Sequence, residues 1–201
     1  MRIAILGTGH MATTLGGGFA RAGHDVVFGS RTPGKDGLQG PVLDHAAAVD
    51  GSDLVVSALV AATTLATVPA LADALAGKVL LDIGNAAGPD FELLYPASSL
   101  GEQLQAALPR TKVVKSLNTL PGTIAVDPGS LPSPTVVFLS GDDADAKALV
   151  SGLIGDLGWA PEARIDLGGI GTSRAVERYF SLFAALMGHF RGTPFNLALV
   201  S

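Results

Sequence analysis

The chain contains no cysteine. Disulfides and thiolate metal centres are therefore excluded, and any redox chemistry must be carried by a bound cofactor. Charge is scarce too. Charged residues make up 15% of the 201 positions and apolar residues 48%, the reverse of a disordered composition. The 13 basic residues are outnumbered by 18 acidic ones. No dense basic face is available to offset phosphate charge, so nucleic acid is not an expected partner. There is no run of about eighteen apolar residues, so no membrane span is expected either. The apolar start at 1–6 is too short for a secretory leader and breaks at Gly7-Thr8-Gly9 without a cleavable tail. A cytoplasmic chain is the plain expectation. No His/Asp/Glu group has metal-ligand spacing, so no metal is expected. Ser57, Ser116 and Ser173 have no nucleophile-elbow context, which argues against a hydrolase.

What the chain does have is alternation. Short apolar runs at 3–6, 26–29, 54–59, 79–83 and 113–117 read as buried parallel strands. A brief strand is expected at 41–43, and others at 136–139, 164–167 and 195–200. Helical stretches fall between them, at 10–22, 64–75, 100–108, 142–157 and 172–190. The first carries Met11, Leu15 and Phe19 on one face, and the second contains Pro69 as a kink or restart. At most a short helix is expected at 45–49. The last helix should be opened by Thr172 or Ser173 as N-cap. This pattern predicts an α/β, Rossmann-type, doubly wound and mostly parallel sheet with helices on both faces. One compact domain over 1–201 with a long C-terminal helix is expected, and 122–134 is the best internal boundary.

The first chemical motif is Gly7-Thr8-Gly9-His10-Met11-Ala12, a GxGxxA turn between a strand and a helix. Gly7 permits the tight turn. Gly9 lets phosphate oxygens approach backbone N–H groups at the helix N-terminus, and Ala12 allows close helix–strand packing. For His10 the backbone N–H is expected to matter more than the ring. At the end of the second strand an NAD-binding chain places a carboxylate for the ribose hydroxyls. Here Gly29-Ser30-Arg31 stands instead, followed by Lys35. A hydroxyl, a guanidinium and an ammonium suit a 2′-phosphate, so NADP(H) is favoured over NAD(H).

Other residues have plainer readings. His24 and His45 are expected at the surface, and His189 near the end of the last helix favours its dipole. Arg174 and Glu177 are spaced to pair across one helical turn. Phe180, Phe183, Leu186 and Phe190 form an apolar stripe suited to core or dimer packing.

Taken in order, several blocks resemble the NADPH-dependent coenzyme F420 reductases, a family related to the oxidoreductase domain of the STEAP metalloreductases. They are Arg2-Ile3-Ala4-Ile5-Leu6-Gly7-Thr8-Gly9, Gly29-Ser30-Arg31 and Val113-Val114-Lys115-Ser116-Leu117-Asn118-Thr119-Leu120. Gly141-Asp142-Asp143 with Lys147, and Ser173-Arg174 with Glu177, continue the likeness. The resemblance implies that Thr8, Ser30, Arg31 and Lys35 hold the 2′-phosphate. It implies that Ala58, Leu59 and Val60 line the adenosine and ribose path. Gly84, Asn85, Ala86 and Asn118 would lie near the nicotinamide, and Asn118, Leu120 and Pro121 would border the second substrate. The segment between the second and fourth strands is short for the family, so the helix there should be reduced.

The function expected is NADPH-dependent hydride transfer to a deazaflavin (coenzyme F420) or flavin-like acceptor, in a homodimer. Ring alignment, rather than an acid or base, would carry such a reaction, so no catalytic residue is named. Two alternatives stand beside it. One is a reductase of small imines or carbonyls, with Asn118 or the Lys115 ammonium polarising the acceptor. The other is a non-catalytic NADP(H)-sensing module.

Overall fold

A computed structural model of the chain describes residues 1–88 and 90–200. Strands β1 (Arg2–Leu6), β2 (Asp25–Gly29), β4 (Leu54–Ser57) and β5 (Val79–Asp82) form the parallel centre of one sheet. The short β3 (Val42–Leu43) adds to one edge, while β6 (Lys112–Ser116), β7 (Val137–Gly141) and β8 (Arg164–Asp166) extend the other. The order is β3-β2-β1-β4-β5-β6-β7-β8, with β7 antiparallel to β6 and every other pairing parallel. The order reverses direction between β1 and β4, where open α/β sheets form ligand crevices.

The central strands are short apolar runs because both faces are covered. In β1, Ile3 and Ile5 pack into one cluster with Leu15 and Phe19 of α1 (His10–Arg21), while Ala4 and Leu6 pack into another. That second face receives α2 (His45–Val49), α4 (Ala72–Leu75) and α5 (Leu100–Ala107). On the first face lie α1, α6 (Gly122–Ala125) and α7 (Ala144–Asp156). The helix between β3 and β4 is only five residues long, as expected from the short segment. The helix expected from 64 begins earlier, as α3 (Ala61–Thr67), and the chain restarts as α4 beyond a single turn at Pro69–Leu71.

Two expectations need correction and one needs refining. Residues 195–200 form no strand. Both edges of β7 are already taken by β6 and β8, and the tail makes one backbone bond, from Val136 N–H to the Leu197 carbonyl (3.0 Å). Thr172 is the N-cap of α8 (Ser173–Phe190), as expected, but its side chain makes no capping bond. The Thr172 hydroxyl instead donates to the Gly169 carbonyl (2.8 Å) and stands 2.7 Å from Ser140 Oγ, inside a tight turn that precedes the helix. His24 is not a free surface residue. Its ring is mostly covered and meets Asp156 at 3.2 Å and the Phe19 ring edge-on.

Candidate functional site

Leu6 lies in register with Gly29 on one side and Ser57 on the other, so three strand ends finish at one level. The Gly7 N–H donates to the Gly29 carbonyl at 2.8 Å and ties the turn to β2. Gly7 has φ +119°, and a Cβ there would fall 2.7 Å from the Ala58 carbonyl oxygen. Only glycine lets β1 leave the sheet beside β4 in this way. Gly9 occupies the N-cap of α1, with no side-chain cap and no acidic residue in the first turn. A Cβ at Gly9 would meet nothing within 4 Å. The first-turn N–H groups therefore have no side-chain cap at the positive end of a twelve-residue helix.

Two adjoining hollows run along this edge. The larger, of about 390 Å³, is bounded by Gly7, Thr8 and Gly9, by Ser30 and Arg31, and by Ala58, Leu59 and Val60. The smaller, of about 230 Å³, shares Gly9 and Ala58–Val60 and continues past His10, Met11, Ile83 and Gly84. Together they form one trough from the end of β2, across β1 and β4, to the end of β5. Ser30 is buried, and its Oγ accepts from the Thr32 N–H at 3.1 Å, while Arg31 is exposed.

The other expected residues stand apart. Lys35 lies in an exposed stretch of loop and borders neither hollow, nor do Asn85, Ala86, Asn118, Leu120 and Pro121. Asn85 and Asn118 clasp each other instead. Asn85 Nδ2 donates to the Asn118 carbonyl at 2.8 Å, and Asn118 Nδ2 donates to Asn85 Oδ1 at 2.9 Å. Just before Asn118, Leu117 holds φ +57°, a left-handed conformation uncommon for leucine, and is fixed there by burial. Leu120 is buried in the core, and Pro121 leads into α6.

Beneath Gly84 lies a buried ionic group. Lys115 Nζ meets Asp82 Oδ2 at 2.8 Å and Glu177 Oε1 at 2.9 Å, and it also donates to the Gly84 carbonyl. Asp82 Oδ1 accepts from the Gly84 N–H at 3.0 Å. Glu177 accepts from the Leu100 and Gly101 N–H groups at the start of α5 (2.9 and 3.2 Å). All three side chains are nearly or wholly sealed from solvent. Burial raises the Asp82 pKa despite the opposing pull of Lys115. Burial draws the Lys115 pKa down, but Asp82 and Glu177 draw it further up, and the net is above its ordinary value. This corrects two expectations. The Lys115 ammonium is committed to two carboxylates and cannot polarise an acceptor. Glu177 does not pair with Arg174, which reaches Glu102 instead (2.5 Å), because a buried ammonium claims the carboxylate.

His45, read from the sequence as a surface residue, lines the larger hollow beside Ser30 and Arg31. Its ring fits because Gly29 has no side chain: a Cβ there would stand 3.1 Å from His45 Cδ2. The fold, not a local motif, brings it to the trough.

A glycine turn at a helix N-terminus, set at the reversal of a mostly parallel sheet, defines a Rossmann-type dinucleotide-binding fold. A family model described as NADP oxidoreductase, coenzyme F420-dependent, matches residues 2–86. A crystal structure from Arthrobacter sp. FB24, provisionally designated an F420-dependent NADP-reductase, is 36% identical with a TM-score of 0.93 and full coverage of both chains. The F420-dependent NADP reductase of Methanocaldococcus jannaschii is 27% identical over 92% of each chain. Rat metalloreductase STEAP3 is 30% identical over 88% of this chain, which spans only 36% of the rat protein. The chain belongs to the coenzyme F420-dependent NADP oxidoreductase family and is an NADP-dependent oxidoreductase. Among the described residues, no helix is long and apolar enough to cross a membrane.

Proposed function

We propose that the trough holds NADP(H) and that this chain transfers hydride between it and coenzyme F420 or a flavin-like ring. The observation that carries the reading is the end of β2. Ser30 and Arg31 border the larger hollow where a dinucleotide site for NAD would present a carboxylate. A guanidinium there favours a phosphate ester over bare hydroxyls. The pyrophosphate belongs at Gly7, Thr8 and Gly9 and at the N–H groups of His10 and Met11, where the space beyond Gly9 suits phosphate oxygens. Ala58, Leu59 and Val60 form the wall along the ribose path.

The nicotinamide end belongs in the smaller hollow, over Gly84 and near the Asn85–Asn118 clasp. When bound, NADPH supplies the hydride. The chain's own contribution is to hold two flat rings in register and keep their approach fixed, with no acid or base required. Lys115 acts at one remove, by holding the Gly84 carbonyl. The acceptor reading is supported by the name of the methanogen relative, which aligns over 92% of both chains. Exposed Leu182, Met187 and Phe190 on α8 support a homodimer.

The test of the acceptor follows NADPH absorbance at 340 nm with F420, FMN, FAD or simple quinones added in turn. The expected result is oxidation with F420, or failing that with a free flavin. Oxidation by quinones alone, or by none of these, would overturn the acceptor reading.

A further inference from the structure

The His45 imidazole stands at the phosphate-binding end of the trough with one nitrogen idle. Its ring begins α2, whose N-cap is Asp44: the Asp44 carboxylate is spent on the Ala47 N–H at 2.9 Å. The ring edge rests against the bare Cα of Gly29, and the side chain lines the same hollow as Ser30 and Arg31. His45 Nε2 is buried yet has no hydrogen-bond partner among the described residues. A buried polar nitrogen without a partner is costly and uncommon in a folded chain. Here it belongs to a side chain that lines the hollow bounded by Ser30 and Arg31.

We propose that His45 is a further ligand of the ribose 2′-phosphate, donating from Nε2 when protonated, and that it strengthens the preference for NADP(H) over NAD(H) as pH falls. The inference rests on the reading of the trough as an NADP(H) site. An imidazolium beside Arg31 is unfavourable in the free protein, where burial first and Arg31 second lower its pKa while Asp44 opposes them weakly. A phosphate dianion placed between the two cations reverses that balance.

The other elements packed against α2 bring no competing charge to the ring. Arg2 of β1 and Asp25 of β2 pair with each other at the far ends of their strands. The strand β3 is Val42 and Leu43 alone, and Asp73 of α4 pairs outward with Arg110. Bound NAD(H) leaves the ring as it was, because its ribose carries no charge there.

The sign follows from linkage. A pKa raised on binding means that the complex takes up a proton. The extra affinity is fully present below the pKa of free His45 and is lost as pH rises through its pKa in the complex. The phosphate itself titrates near pH 6 and acts in the opposite sense, so a variant without the imidazole is the necessary reference.

The experiment is an NMR titration of the His45 ring in the wild-type protein, alone and saturated with NADP+ or NAD+, with calorimetry of both cofactors on the wild type and His45→Gln. The expected result is a His45 pKa that rises by about one unit or more with NADP+ and does not rise with NAD+. His45→Gln should weaken NADP+ binding about tenfold at pH 6 and less at pH 8, and leave NAD+ binding nearly unchanged. An equal His45 pKa in both complexes would overturn the inference while leaving Ser30 and Arg31 as phosphate ligands. A wild-type protein that binds both cofactors equally at every pH would overturn the inference together with the NADP(H) reading.

Discussion

Lys115→Met should lower folding stability by about 3–5 kcal/mol at neutral pH. For a chain of this length that is a fall of roughly 6–20 °C in Tm. The substitution keeps most of the aliphatic stem but leaves Asp82 and Glu177 facing each other without a cation, in a site sealed from water. It also frees the Gly84 carbonyl, which the ammonium holds. In the wild type the raised Lys115 pKa means that its contribution is fully present below the ordinary lysine value and is lost as pH rises through the folded value. In the variant the logic moves to the acids. Burial and the Glu177 charge already push the Asp82 carboxyl towards its protonated form, so the deficit should be smallest in acid and grow with pH. Asp82→Asn should be milder, because one ammonium and one carboxylate then remain to neutralise each other. Urea unfolding of the wild type and both variants at pH 5 and pH 8 checks this. A deficit that does not change with pH would show that the ionic group is not what holds this region.

Gly7→Ala should weaken cofactor binding by more than about tenfold and also reduce stability. A residue with a Cβ at φ +119° is strained by on the order of 1–3 kcal/mol before any contact is considered. The added carbon would also stand 2.7 Å from the Ala58 carbonyl, which is backbone and cannot swing aside. Relief requires β1 and the segment after β4 to part, and that opens the trough at the point both hollows share. Gly9→Ala gives the contrast. A Cβ at Gly9 meets no protein atom within 4 Å, so stability should be nearly unchanged while cofactor affinity falls. Thermal unfolding beside fluorescence titration with NADPH separates the two variants. Equal stability losses would mean that Gly9 is there for the fold rather than for the phosphates.

The parts of the fold and site that could be read from the sequence are those set by local pattern. The run from Arg2 to Ala12 carries strand, turn and helix in one uninterrupted stretch, and Gly29-Ser30-Arg31 ends a strand whose register with β1 follows from the same pattern. Pro69 announces its own restart of the helix. The brief helix after β3 follows from the number of residues available.

What was not legible depends on partners far apart in the chain. Lys115 lies in an apolar strand, and its partners Asp82 and Glu177 are brought in by β5 pairing and by α8. A charged residue in the middle of Val-Val-Lys-Ser was the available signal, since a buried cation must find carboxylates. His45 gave no such signal. The glycine beside it, in a neighbouring strand, leaves room for its ring and for Leu6. The segment 195–200 reads as a strand by residue type, but the sheet has no free edge beside β7 for it to join.

The central claim is electrostatic: the corner formed by Ser30 and Arg31 discriminates a phosphate ester from a hydroxyl. Isothermal calorimetry of NADP+ and NAD+ against the wild type and Arg31→Ala tests it most directly. The wild type should bind NADP+ about a hundredfold more tightly than NAD+, and Arg31→Ala should lose most of that margin through the NADP+ affinity alone. Equal affinities in the wild type, or equal losses for both cofactors in the variant, would contradict it.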